Sequence, residues 1–459
     1  MPLRRPALCA NFLVSAGLAL AAGLLAVEAR AEPDEEMLGR SLALFAAQSD
    51  VRQGAVEEIR QSGRKDAIPA LIQARRFLGD IPGIEEALAE LTGNTENDSW
   101  YEWMLWQQAH PEIVPFEGFD TFKAIVFQRI DLNFGLFLQP GVDHEIRLEE
   151  IVWGGVIKDG IPALTNPALL EAGAADYLTD EELVFGVKIN GDARAYPLRI
   201  LDWHEMFNDV VGGVPVSLAY CTLCGSGILF ETTVEGRDAP FVFGSSGFLY
   251  RSNKLMYDQE THSLWNQFTG RPVVGPLTGS GIELKTRPVA ITSWSAWRDA
   301  NPDTKVLSLE TGHQRDYRPG APYGTYFSSP NLMFPALVEE EKLQAKDYVF
   351  ALRSSGTEKA WPLTRFTGGQ VINDEAGILD LVLIGDEATR TVRAYRRDGQ
   401  TFEQGESPAE LRSGETVWKV TEEALVGPDG EQLARLPGHI AYWFAWSGYL
   451  GDEGEVAAR

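Results

Sequence analysis

Apolar and polar positions change their period once along this chain, near Gly141. From about residue 36 to residue 110, Ala55, Ile59, Ile68, Leu71, Ile72, Ala74, Leu78, Ile84, Ala87 and Leu88 recur at helical spacing. That spacing puts an apolar stripe on one face of a helix, and Gly63, Gly79 and Gly93 cut the run into short segments. Trp100, Trp103 and Trp106 share one side of the next helix, which predicts packing aromatics and not a ligand cage. After Gly141 the pattern becomes short alternating runs with Gly, Asn and Pro between them, as expected of strands.

The clearest hairpin is Val184-Phe-Gly-Val-Lys-Ile, the turn Asn190-Gly191, then Asp-Ala-Arg-Ala-Tyr-Pro-Leu198, because Asn-Gly is the favoured two-residue turn between right-twisted strands. Val349-Phe-Ala-Leu and Trp361-Pro-Leu363 repeat this design at an offset of 165 (349 minus 184), and Ile372-Asn373-Asp374 repeats Phe207-Asn208-Asp209 at the same offset. Further on, Leu264-Trp265 with Val274-Gly275-Pro276 answers Val417-Trp418 with Val426-Gly427-Pro428, and Trp294-Ser-Ala-Trp297 answers Trp443-Phe-Ala-Trp446. These matches predict a β-rich module in two copies, roughly 180–310 and 345–455, packed beside each other.

The fold class expected is α+β. The stretch Asp66-Ala-Ile-Pro-Ala-Leu-Ile-Gln-Ala-Arg-Arg resembles the second helix of a HEAT-type repeat, so residues 32–140 are expected to form a small helical layer. Residues 141–335 hold the first copy and residues 336–459 the second, degenerate one.

The first 31 residues read as a signal peptide. Arg4 and Arg5 precede an apolar run from Phe12 to Val27, and Ala29-Arg30-Ala31 offers small residues to a signal peptidase. This predicts a periplasmic or secreted protein with no membrane span after cleavage; the rival is a retained anchor. Cys9 precedes the apolar run, so it does not suit a lipoprotein, and the mature chain keeps two cysteines. A net charge of −26 argues against nucleic acid as a partner, since polyanions repel. A cell-envelope protein is a possible partner for the helical layer.

Cys221 and Cys224 stand in Val216-Ser-Leu-Ala-Tyr-Cys-Thr-Leu-Cys-Gly, between two β-type runs. A strand, Cys-x-x-Cys-Gly, strand order looks like the knuckle of rubredoxin and zinc-ribbon sites and unlike the helix-opening motif of thioredoxins. The offset of 165 supplies an internal control: Trp203-His204-Glu205 meets Gly368-Gly369-Gln370, and the second copy has no cysteine. His204, Cys221 and Cys224 are therefore grouped as one candidate site. With these three as metal ligands the ion expected is copper or zinc, and the fourth ligand would come from Glu205, Met256, His262 or His313. His204 and Glu205 are the candidate catalytic groups for proton handling. Two other readings stay open: a redox-active dithiol, and a structural Cys221–Cys224 disulfide in a non-catalytic interaction module. Asp258-Gln-Glu260, Arg315-Asp316-Tyr317 and Tyr323 are candidate pocket lining, against a plainer reading as solvated turns.

Ala195-Tyr-Pro-Leu, Trp203-His-Glu, Asn208-Asp, Gly212-Gly-Val-Pro, Tyr220-Cys-Thr-Leu-Cys-Gly, Asn253-Lys-Leu-Met-Tyr-Asp and Ser263-Leu-Trp together resemble the signature of a bacterial and archaeal domain family of unknown function. The resemblance covers about residues 145–335, with the second copy a weaker echo, and implies no reaction. It supports treating His204, Cys221 and Cys224 as a set. Thr222 departs from the pattern, which more often has Pro there.

Overall fold

A computed structural model describes residues 34–338, 342–354, 356–450 and 455–457. The expected signal peptide and Cys9 lie outside these residues. An N-terminal helical region precedes a β-rich one, which makes the chain a mixed α+β protein.

The helical region consists of α1 (Glu35–Ala43), α2 (Ser49–Ser62), α3 (Ile68–Leu78), α4 (Ile84–Thr92), α5 (Trp100–Ala109) and α6 (Phe119–Gln128). Its breaks fall where glycine ends a helix: Gly63 and Gly93 adopt the left-handed conformation after α2 and α4, a geometry that costs glycine no Cβ clash. Ser99 and Glu102 form a reciprocal capping box at the start of α5. Trp103 is fully buried, Trp106 stacks on His110 at 4.0 Å, and the Arg76 guanidinium lies 4.1 Å over Trp100. The three tryptophans are packing groups, as their spacing implied. Among the described residues no helix is long and apolar enough to cross a membrane.

Among the described residues the β-rich region forms five sheets. The hairpin Leu183–Ile189 and Asp192–Pro197 turns through Asn190 and Gly191, both at positive φ, as the primed turn requires. Strands Met206–Val211, Val214–Cys221 and Ser226–Glu231 form a second, antiparallel set. Between these two sets lies α7, Leu198–His204, which carries the candidate site.

The offset of 165 extends into the strand register. Val184 opposes Pro197 and Val349 opposes Pro362; Met206 opposes Ala219 and Val371 opposes Ile384; Cys221 opposes Ser226 and Asp386 opposes Thr391. Side-chain brackets recur as well. Asn208 exchanges two hydrogen bonds with the main chain of Phe243, and Asn373 does the same with Phe402. The Tyr196 hydroxyl donates to Asp209 and the Trp361 indole donates to Asp374, each at 2.7 Å. Phe185, Leu218, Leu229 and Ile291 share one buried core with Phe350, Leu383, Ala394 and Ile440, so the two β segments pack face to face. Burial of that common apolar face is the main force holding them together.

Candidate functional site

Helix α7 ends at Glu205, a non-glycine residue in the left-handed conformation (φ 53°) whose N–H donates to Leu201 O at 2.7 Å. Its carbonyl accepts the Tyr220 N–H at 2.7 Å, which ties the helix end to the strand leading into the cysteines. The strand ends at Cys221 and the next begins at Ser226, so the Cys-x-x-Cys forms the turn of a hairpin, with Gly225 at φ 59°. Cys221 and Cys224 are joined in a disulfide and are 3% and 0% exposed.

Neighbouring side chains and main chain hold this turn at several points. The Thr222 hydroxyl donates to Glu205 Oε1 at 2.9 Å, and the buried Lys254 ammonium pairs with Glu205 Oε2. Tyr323 donates to the same carboxylate at 3.3 Å, and the Tyr326 hydroxyl donates to Leu223 O at 2.7 Å. From the second β segment the Tyr442 N–H donates to Cys224 O at 2.8 Å. Arg251 and Ser252, both at positive φ, turn the neighbouring hairpin so that Ser252 O lies 3.4 Å from Cys224 Sγ. A proline at position 222 has no hydroxyl for Glu205; threonine adds that contact.

His204 is fully buried and faces the segment that links the two β segments. Its Nδ1–H donates to Pro162 O at 2.8 Å, and its Nε2 accepts from the Tyr317 hydroxyl at 2.7 Å. Burial pulls its pKa down to about 4, so the ring is neutral at pH 7 and suited to this donor–acceptor role. The His313 ring lies 5.3 Å from it.

A cavity of about 430 Å³ opens beside the disulfide turn, lined by Asp202 of α7, by Tyr220, and by Lys346, Tyr348, Arg390 and Tyr442 from the far side. Burial raises the Asp202 carboxyl to about 7, against the Tyr220 hydroxyl that donates to it at 3.2 Å and the nearby Arg390 cation. The cavity therefore holds an acid that changes charge near neutral pH.

The family described as "Protein of unknown function (DUF3179)" matches residues 158–453, more than half of the chain. The chain belongs to this family. No curated protein and no solved structure matches it. The DUF3179 match spans both β segments, the first carrying the motifs of the resemblance and the second their weaker echo.

Within this DUF3179 region the residues grouped from sequence lie around one turn but do not converge on one point. Glu205 reaches Thr222, one of the two residues between the cysteines, while both ring nitrogens of His204 are committed to Pro162 and Tyr317. Met256 is buried in a strand opposite Trp265, and His262 stacks on Tyr257 at 6.1 Å. Copper or zinc does not fit the donor set in this form, because the two sulfurs are bonded to each other and His204 offers no free nitrogen. Among the described residues no group of three or more His, Cys, Asp and Glu side chains is placed to hold a metal ion. Of the candidate pocket residues, Tyr317 and Tyr323 touch the site, through His204 and Glu205. Asp258 instead braces its own turn, accepting from Thr261 and from the Trp265 indole. Sequence reading missed Asp202, Lys254, Lys346, Tyr348, Arg390 and Tyr442. One signal was available for Arg390, since the offset of 165 places it at the counterpart of Gly225.

Proposed function

We propose that this protein is exported and works as a thiol–disulfide redox protein, with Cys221 and Cys224 as the reacting pair. One observation carries the reading. The hairpin turn at Asp386–Thr391 has the register of the turn at Cys221–Ser226, with positive φ at Arg390 as at Gly225, and it is closed without cysteines. The turn thus needs no cross-link to form, and the disulfide calls for another explanation. The same registers support reading the two β segments as copies of one module, the second lacking the site. Export rests on the leader pattern, Arg4 and Arg5 before an apolar run and Ala29-Arg30-Ala31 after it.

The reaction is exchange with an external dithiol. A thiolate of that dithiol attacks one Sγ, the S–S bond breaks, and its electron pair leaves on the other sulfur, which takes up a proton. The second thiol of the reductant then resolves the mixed disulfide, so one dithiol is oxidised as one disulfide is reduced. Glu205 acts as a positioning residue: it fixes Thr222, and through it the spacing of the two sulfurs, while Lys254 keeps its charge compensated.

A structural disulfide is the second reading, favoured by the burial of both sulfurs and the saturated bonding of Leu223 and Cys224 carbonyls. The two readings separate in a native-state exchange experiment. Folded, oxidised protein is mixed with dithiothreitol, and thiols are trapped by alkylation and counted by mass. Exchange faster than global unfolding supports the redox reading; exchange that tracks unfolding supports the structural one.

A further inference from the structure

The cavity beside the disulfide is richer in cations than the chain as a whole. The protein carries a net charge of −26, yet three cations, Arg199, Lys346 and Arg390, line this space against two carboxyl groups, Glu182 and Asp202. Arg199 is already answered: it pairs with Glu182 at 3.1 Å and donates to the carbonyls of Tyr177 and Tyr317. Lys346 and Arg390 are different. Among the described residues neither has a carboxylate within 4.0 Å. Lys346 donates to the carbonyls of Tyr326 and Ser329 and lies 3.7 Å over the Tyr326 ring; Arg390 donates to the Tyr348 hydroxyl at 2.7 Å. Lys346 is held by neutral partners alone, and beyond Tyr348 Arg390 has near it only the Asp202 carboxyl, which burial keeps protonated up to about pH 7, so an attraction for an anion is left unsatisfied.

The walls between them are flat and apolar. Tyr348 and Tyr442 stack at 4.5 Å with 28° between their planes, and Leu183, Leu198 and Phe327 complete the lining. A cavity of about 430 Å³ is the size of a small-molecule site.

The internal repeat again supplies a control. Positions 165 beyond Arg199, Asp202 and Tyr220 hold Thr364, Thr367 and Gly385; the position 165 before Arg390 holds Gly225; and Ser293 stands at the Trp-x-x-Trp counterpart of Tyr442. At each of these paired positions the charged or phenolic group stands in one segment and not in the other, so the hairpin design does not require it. We propose that this cavity binds a small organic carboxylate with a flat apolar body, its charge held by Arg390 and Lys346 and its body against Tyr348 and Tyr442. The proposal is independent of the thiol chemistry, because binding is read in the oxidised protein.

The test is calorimetric titration of the oxidised full chain with benzoate, with benzamide and inorganic phosphate as comparisons. Benzoate should saturate a single site and bind at least about tenfold more tightly than either comparison, a gap of about 1.4 kcal/mol. Arg390→Asn, in which asparagine tolerates the positive φ, and Lys346→Gln should each weaken benzoate by about tenfold or more. Absence of saturation at millimolar benzoate, equal binding of benzamide or phosphate, or variants that bind like wild type would overturn the proposal. Should a variant lose its fold, the ring protons of Tyr348 and Tyr442 in the wild-type protein decide: they shift saturably with benzoate, or the proposal is lost.

Discussion

Reducing the Cys221–Cys224 bond should cost the fold little, and the size of that cost follows from the turn itself. The two cysteines are three residues apart in sequence, and loop-closure entropy for so short a ring is about 2 kcal/mol at 25 °C. No further loss is expected from the hairpin, because Asp386–Thr391 forms the same register uncross-linked. Thermodynamic linkage converts about 2 kcal/mol into about 40 mV by which folding favours the disulfide. The assay is denaturant unfolding of protein refolded with and without a phosphine reductant, comparing midpoints at equal slope. A stability difference near 2 kcal/mol with native circular dichroism in the reduced form is the expected result. A loss above about 4 kcal/mol, or failure of the reduced chain to refold, would refute the claim that the turn is independent of its cross-link.

Lys254→Met leaves the buried Glu205 carboxylate without its cation and should cost about 3–5 kcal/mol in thermal unfolding, while Glu205→Gln combined with Lys254→Met should recover most of that loss. Asp202 has an ordinary carboxyl value of 3.8 and a folded value near 7, so the folded state holds a proton that the unfolded chain releases between them. Its contribution is present below pH 3.8 and lost progressively as pH rises to about 7; Asp202→Asn should flatten that slope in stability measured across pH. Gly225→Ala puts a Cβ 3.0 Å from Tyr348 Cε1 at a φ of +59°, and should cost about 1–3 kcal/mol in the same unfolding assay.

Much of the architecture was legible because it is written locally. Asn190-Gly191 specifies its turn by the positive φ it permits, and Gly63, Gly79 and Gly93 end helices where the apolar stripe breaks. The Cys-x-x-Cys reads as a turn between strands because the β-type runs on either side of it, Val214–Cys221 and Ser226–Glu231, are equally local. The site's partners were not legible, since Glu205 meets Lys254 and Tyr323 only through the fold, and the cavity draws on residues from 182 to 442. The grouping of His204 with the cysteines rested on their joint absence at the offset of 165. That absence does mark residues around one turn, but a shared neighbourhood does not fix direction. His204 sits at the last position of α7, where its ring is directed to Pro162 and Tyr317, and it is Glu205, one residue on, that reaches the cysteine turn.

The redox assignment is tested most directly by the midpoint potential of the Cys221–Cys224 pair in the folded protein. Equilibration in buffers of reduced and oxidised dithiothreitol, with alkylation and mass analysis of the intact chain, gives that potential. A two-electron titration with a midpoint less negative than about −270 mV is the predicted result, in the range of exchange-active pairs. A midpoint below about −300 mV, the range of structural disulfides, would contradict the account.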